Sequence, residues 1–144
     1  MSSRPIMKKD GNSGRYKVRD TLKTPDSIHI IADFSGCLPE LLNSGAKGEE
    51  ILAQTITESG LHCIAIKSHQ FAPSGYTAAA LLTESHITLH TWPEHNAVQL
   101  DVFTCGSHSN AQKAYEFLKK IFAPSKVSEQ IFFRNLNEII QKQK

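Results

Sequence analysis

No stretch of the 144-residue sequence approaches the roughly 20 consecutive apolar residues that a helix needs to span a bilayer. The N-terminal region also lacks the apolar run of a secretory signal, so the expectation is a cytoplasmic protein with no membrane partner. A charge excess of one sign is missing too. The formal net charge is only +2. Part of it sits in residues 1–24, where Arg4, Lys8, Lys9, Arg15, Lys17, Arg19 and Lys23 outnumber Asp10 and Asp20. That bias is too weak to predict a nucleic-acid partner. Cysteine is scarce, and Cys37, Cys63 and Cys105 are odd in number, which suits reduced thiols rather than a disulfide framework. Large apolar residues are few in residues 1–24, where Gly11, Ser13 and Gly14 lie among the charges. Burial there cannot offset the entropy of ordering, so the segment is expected to be a flexible basic arm ahead of one domain over residues 25–144.

That domain has the composition of an ordinary globular protein with one modest core: 40% of the whole chain is hydrophobic and 21% charged. From Ser27, "SIHIIADF" is rich in β-branched residues and predicts a strand. In the following "LPELLNSGAKGEEILAQTITESG", Ile51, Leu52, Thr55 and Ile56 fall on one helical face, and Gly60 is suited to ending the helix. "HCIAIKSHQF" and "YTAAALLTE" are apolar enough to predict interior strands, and "AVQLDVFTC" alternates with period two. Ser109 and Gln112 suggest a capping box before a second amphipathic helix, and "VSEQIFFRN" closes as a strand. This order predicts an α+β fold, a two-layer α/β sandwich with a mostly antiparallel sheet and two helices on one face. Two of the strands look apolar on both sides, which predicts a sheet-to-sheet homodimer.

The chemistry concentrates in "TESHITLHTWPEH", residues 83–95. His86 and His90 have the i, i+4 spacing of helical zinc ligands, but Ile87, Thr88, Thr91 and Pro93 disfavour a helix and no glutamate follows His86. On a strand His86, Thr88 and His90 would share a face, which leaves metal binding open. Ser85 has no nucleophile-elbow glycines around it, and a regular strand would set it on the face opposite His90. Cys105 ends a strand just before Gly106, where a thiol can reach a cleft or simply fill space.

The motif "ESHITLHTWPE" followed by "LDVFTCG" closely resembles the signature of the prokaryotic S-adenosylmethionine decarboxylase proenzyme family, whose members are pyruvoyl-dependent. The resemblance extends through "HQFAPSGYTAAALLT" and "IHIIADFSGC" and covers about residues 27–134. It implies autocatalytic cleavage between Glu84 and Ser85 into chains 1–84 and 85–144, with Ser85 becoming the pyruvoyl cofactor. His90 falls on the family's processing base, Cys105 on its catalytic proton donor and Thr77 on a hydroxyl that assists processing. No external cofactor and no metal are implied. The substrate would be S-adenosylmethionine, whose decarboxylated product supplies the aminopropyl group for spermidine.

The residue types suit that chemistry. A serine hydroxyl can attack the preceding carbonyl and exchange an amide for an ester, whose carboxylate leaves far more readily. An imidazole can take the serine α-proton, and a thiol can hand a proton to the decarboxylated carbon. Phe71 could stack on adenine or face a sulfonium, and Glu94 could accept hydrogen bonds from ribose hydroxyls. Trp92 and Asp101 are assigned to packing and scaffold hydrogen bonding. One departure bears on substrate. Where the family reads Tyr-Gly-Tyr after the Pro-Glu pair, this chain has His95, Asn96 and Ala97. The alternatives are the same machinery acting on arginine or ornithine, and a binding paralogue that never processes.

Overall fold

The structure, a computed structural model, describes residues 7–9, 16–18 and 26–141. Strands β1 (Met7–Lys9) and β2 (Tyr16–Val18) pair antiparallel in a ribbon of their own. The rest of the expected N-terminal arm lies outside the described residues. The body of the protein is a six-stranded sheet of β3 (Asp26–Ser35), β4 (Cys63–Gln70), β5 (Tyr76–Leu82), β6 (Ser85–Trp92), β7 (Ala97–Thr104) and β8 (Lys126–Asn135). Its order is β4-β5-β6-β7-β3-β8, and every neighbouring pair is antiparallel. Helices α1 (Gly45–Ser59) and α2 (His108–Phe122) pack on one face, giving the expected α+β architecture. A short α3 (Asn137–Gln141) follows β8.

Period-two burial places the core. Ile28, Ile30, Ala32 and Phe34 of β3, Tyr76, Ala78, Ala80 and Leu82 of β5, Ile87 and Leu89 of β6, and Val98, Leu100 and Val102 of β7 are all buried. Against them α1 lays Ile51, Leu52, Thr55 and Ile56, and α2 lays Ala111, Ala114, Tyr115, Leu118 and Phe122. α1 starts where the Ser44 hydroxyl accepts from Lys47 N–H at 3.2 Å and stops at Gly60, whose φ of 72° suits glycine. Its approach to β5 is very close: a Cβ on Gly48 would lie 2.2 Å from a ring carbon of Tyr76.

Two local expectations change. α2 is capped by Ser107, which accepts from Asn110 N–H at 3.3 Å, and not by Ser109, which lies inside the first turn. Ser107 wins because its backbone is extended (φ −68°, ψ 120°), as an N-cap must be. β4 is an edge strand, not an interior one, and most of it is exposed. It pairs on one side only, with β5, and its helix-facing positions include polar residues: Ser68 donates to Glu49 Oε1 at 2.8 Å, and Gln70 Oε1 accepts from Gly45 N–H at 2.8 Å. The sheet face away from the helices is open in the single chain and leaves Ile31, Leu81, Trp92 and Phe132 exposed.

Candidate active site

Thr83 and Glu84 form the two-residue turn between β5 and β6, closed by the pair Leu82–Ser85. Neither is the glycine or asparagine that such turns favour, and the unusual backbone falls on the next residue. Ser85 has a φ of 144°, a region that favours glycine and strains a residue carrying a Cβ. The surrounding contacts hold it there. Cys105 N–H donates to the Glu84 carbonyl oxygen at 2.8 Å, and Thr83 N–H donates to the His62 carbonyl at 3.0 Å. The Glu84 side chain is buried, accepts from His62 N–H at 3.2 Å and pairs with the His62 ring through Nδ1. Ser85 Oγ lies 3.4 Å from Cys105 Sγ. Glu84, Ser85 and Cys105 are thus gathered at one end of the sheet.

The other expected residues gather elsewhere. Thr77 and His90 are cross-strand partners on the open face, with Oγ1 and Nδ1 3.0 Å apart. They line a cavity of about 530 Å³ with Phe71, Trp92, Glu94 and Gln99. Phe71 stands edge-on to His69, ring centroids 4.7 Å apart, and is half exposed. β6 is paired on both sides without a register shift from Ser85 to Trp92. Five residues of extended strand separate Ser85 from His90 by roughly 17 Å. Within one chain they do not meet.

Between the two groups, on the open face, Asp101 Oδ2 lies 2.7 Å from His29 Nε2 and 3.1 Å from His86 Nε2, while Thr88 donates to Oδ1. Burial pushes the Asp101 carboxyl up, but the hydrogen bonds from His86, Thr88 and His29 and the charge of His86 outweigh it and hold the carboxyl well below the usual range. This is the scaffold role expected of Asp101. Among the described residues, His29, His86 and Asp101 also form the one group whose ligating atoms lie within 4.8 Å of one another. Their mutual hydrogen bonds already account for that closeness. His90 stands apart from them, on Thr77, so the His86–His90 pair raised by the sequence is not a ligand pair. Trp92, expected to pack, is half exposed in the single chain, with Nε1 donating to Gln99 at 3.1 Å.

None of the three cysteines is in a disulfide. Burial raises the Cys37 thiol pKa to about 11 against an opposing backbone bond from Val98, and burial raises that of Cys63 as well. Cys105 is the one beside the strained backbone of Ser85. Sequence reasoning passed over His62 and Gly106, whose added Cβ would sit 3.3 Å from Glu84 Cγ. Gly106 closes the motif "LDVFTCG" but was given no role, and no motif marks His62.

The family model described as S-adenosylmethionine decarboxylase matches residues 28–135. The chain belongs to the S-adenosylmethionine decarboxylase family. The S-adenosylmethionine decarboxylase proenzyme of Picrophilus torridus is 40% identical over 106 residues, which are 74% of this chain and 82% of that protein. The proenzyme of the same name from a Hydrogenobaculum species is 38% identical over 111 residues, 77% of this chain and 83% of its own. A crystal structure of the adenosylmethionine decarboxylase from Aquifex aeolicus superposes with a TM-score of 0.72 at 34% identity, covering 76% of this chain and 90% of that one. Within this family the β5–β6 turn and the β7 terminus acquire a chemical reading.

Proposed function

We propose that this chain is a proenzyme that cleaves itself between Glu84 and Ser85 and then removes the carboxyl group of S-adenosylmethionine as a pyruvoyl enzyme, supplying the aminopropyl donor for spermidine. The observation that carries the reading is the Glu84–Ser85 peptide itself: a strained backbone at Ser85 with the Glu84 carbonyl held on Cys105 N–H at 2.8 Å. Ser85 Oγ attacks the Glu84 carbonyl carbon, the amide C–N bond breaks and an ester forms, freeing the Ser85 nitrogen. Cys105 N–H is already placed to stabilise the negative charge that grows on the carbonyl oxygen. Relief of the Ser85 strain favours departure from the peptide form. A base then takes the Ser85 α-proton, the Glu84 carboxylate leaves with the ester oxygen, and hydrolysis releases ammonia.

The residues fit the pyruvoyl group, because a serine hydroxyl, a carbonyl held on an amide N–H and a thiol converge there. When formed, that group supplies a ketone that condenses with the substrate amine and draws off the electrons left by carbon dioxide. Cys105 Sγ is 3.4 Å from Ser85 Oγ and so close enough to deliver the final proton. Phe71 offers an aromatic face to the adenosyl end, and Glu94 offers acceptors to the ribose; the two share one cavity.

His90 as base and Thr77 as its support require a second protomer. Their cavity lies on the open sheet face, and so do the exposed Leu81, Ile31 and Phe132. An isologous dimer across that face covers the apolar residues and brings His90 and Thr77 of one protomer to Ser85 of the other. Two composite sites result. Intact mass tests the central reading: fragments of residues 1–84 and 85–144 are expected, the second lighter by one ammonia than simple hydrolysis would leave it. The cut protein should release labelled carbon dioxide from carboxyl-labelled S-adenosylmethionine faster than from arginine or ornithine. A chain that stays uncut, or one that consumes only arginine or ornithine, would count against it.

A further inference from the structure

His62 sits in the link between α1 and β4, and none of the steps above calls on it. Yet it grips the Glu84 turn from two directions. Its carbonyl accepts from Thr83 N–H at 3.0 Å, its own N–H donates to Glu84 Oε2 at 3.2 Å, and its ring Nδ1 bonds Glu84 Oε1. The carboxylate side chain is only 6% exposed, so these groups stand where water would otherwise solvate it. Gly106 closes the opposite side, since a Cβ there would press on Glu84 Cγ at 3.3 Å.

We propose that His62 is a positioning residue for self-cleavage, which anchors the Glu84 carboxylate and so keeps the turn in the form from which the Ser85 hydroxyl attacks. The inference rests on the proposed cleavage at Glu84–Ser85. A backbone at φ 144° relaxes unless its surroundings over-determine it. On one side of the scissile carbonyl the constraint is Cys105 N–H; on the other it is the Glu84 side chain, held by His62. With Nδ1 carrying the ring proton, as its carboxylate partner dictates, the imidazole donates a charge-assisted hydrogen bond. Without that ring the carboxylate is left buried and under-paired, a state that resolves by turning outward to water. The turn follows its side chain, Ser85 returns to an ordinary φ, and the carbonyl leaves the Cys105 amide. His62 touches no reacting atom; it acts through Glu84.

The test is a time course of cleavage, followed by gel or intact mass on freshly purified full chain. His62→Ala is expected to lower the cleavage rate constant at least about tenfold, the ratio that one lost hydrogen bond to a charged group carries. His62→Asn, whose side-chain amide can place an N–H near the Nδ1 position, is expected to recover most of the rate. In a Glu84→Gln background His62→Ala should slow cleavage much less, because the carboxylate it acts through is gone. Cleavage of His62→Ala at the wild-type rate, an Asn variant as slow as the Ala variant, or equal slowing in both backgrounds overturns the proposal. A wild-type chain that never cuts overturns the proposed function instead.

Discussion

In the proposed chemistry the amide and the thiol of Cys105 face different steps: N–H holds the Glu84 carbonyl, while Sγ lies beside the Ser85 hydroxyl. Substitution separates them, because alanine keeps the amide. Cys105→Ala is expected to cleave nearly normally and to lose roughly 10²- to 10⁴-fold in turnover, the range of a general acid. Ser85→Ala has no hydroxyl and should remain uncut, and His90→Ala should also stall in processing; gels and labelled carbon dioxide release measure all three. An uncut Cys105→Ala with normally cut His90→Ala would reverse the assignments. Asp101 lends itself to a stability measurement. Its carboxyl ionises at lower pH folded than unfolded, so its ionisation contributes fully to stability above the ordinary carboxylate value near 4, and that contribution shrinks progressively below it until the folded carboxyl itself takes up a proton. Asp101→Asn, made in the Ser85→Ala background so that cleavage does not intervene, should lower stability by about 1–3 kcal/mol at neutral pH. The gap should narrow below about pH 4, and denaturant melts at two pH values decide it. Equal gaps at both would show that the charge of Asp101 is not what matters.

The α1–β5 contact gives the clearest prediction among the elements. Gly48 has no room for a methyl group above Tyr76, a fully buried ring whose hydroxyl is tied to the Leu41 carbonyl at 2.9 Å and which cannot easily swing aside. Gly48→Ala should cost about 1–3 kcal/mol despite the better helix propensity of alanine, lowering the melting temperature by several degrees. A variant as stable as wild type would mean that α1 can shift. Strands such as β7 were legible because Val98, Leu100 and Val102 alternate with partly or fully exposed residues along one buried face. β4 was not, because its apolar string hides which strand it pairs with, and pairing, not composition, makes an edge. At the turn after β6, Asn96 replaces the glycine of the family, and its φ of 48° shows why a residue tolerant of left-handed backbone is wanted there. The motif around Ser85 was legible from resemblance alone, whereas His62 was not. Its contact with Glu84 joins residues that are 22 apart in the chain, and no local pattern announces it.

At the scale of the molecule, the roughly 17 Å that β6 sets between Ser85 and His90 is a statement about assembly. If the two act across a dimer, coexpressed Ser85→Ala and His90→Ala chains, each inert alone, should form mixed dimers with one intact processing site. The His90→Ala chain would then be cut, and mass spectrometry would show which chain it was; no cutting in the mixture would place both residues in one protomer. The strand order carries a consequence for the history of the protein. Cutting after Glu84 leaves β3, β4 and β5 on one fragment and β6, β7 and β8 on the other, yet β3 lies between β7 and β8 with ten residue pairs along β8. The fragments are interlaced like fingers. With the proposed cut, continuity of the chain is used once, to bring β3 into its slot, and then given up. An uncut chain that unfolds can find its way back alone, whereas a cut one must meet its other half by diffusion. Once cut as proposed, the protein keeps a shape that it no longer has the connectivity to regain quickly.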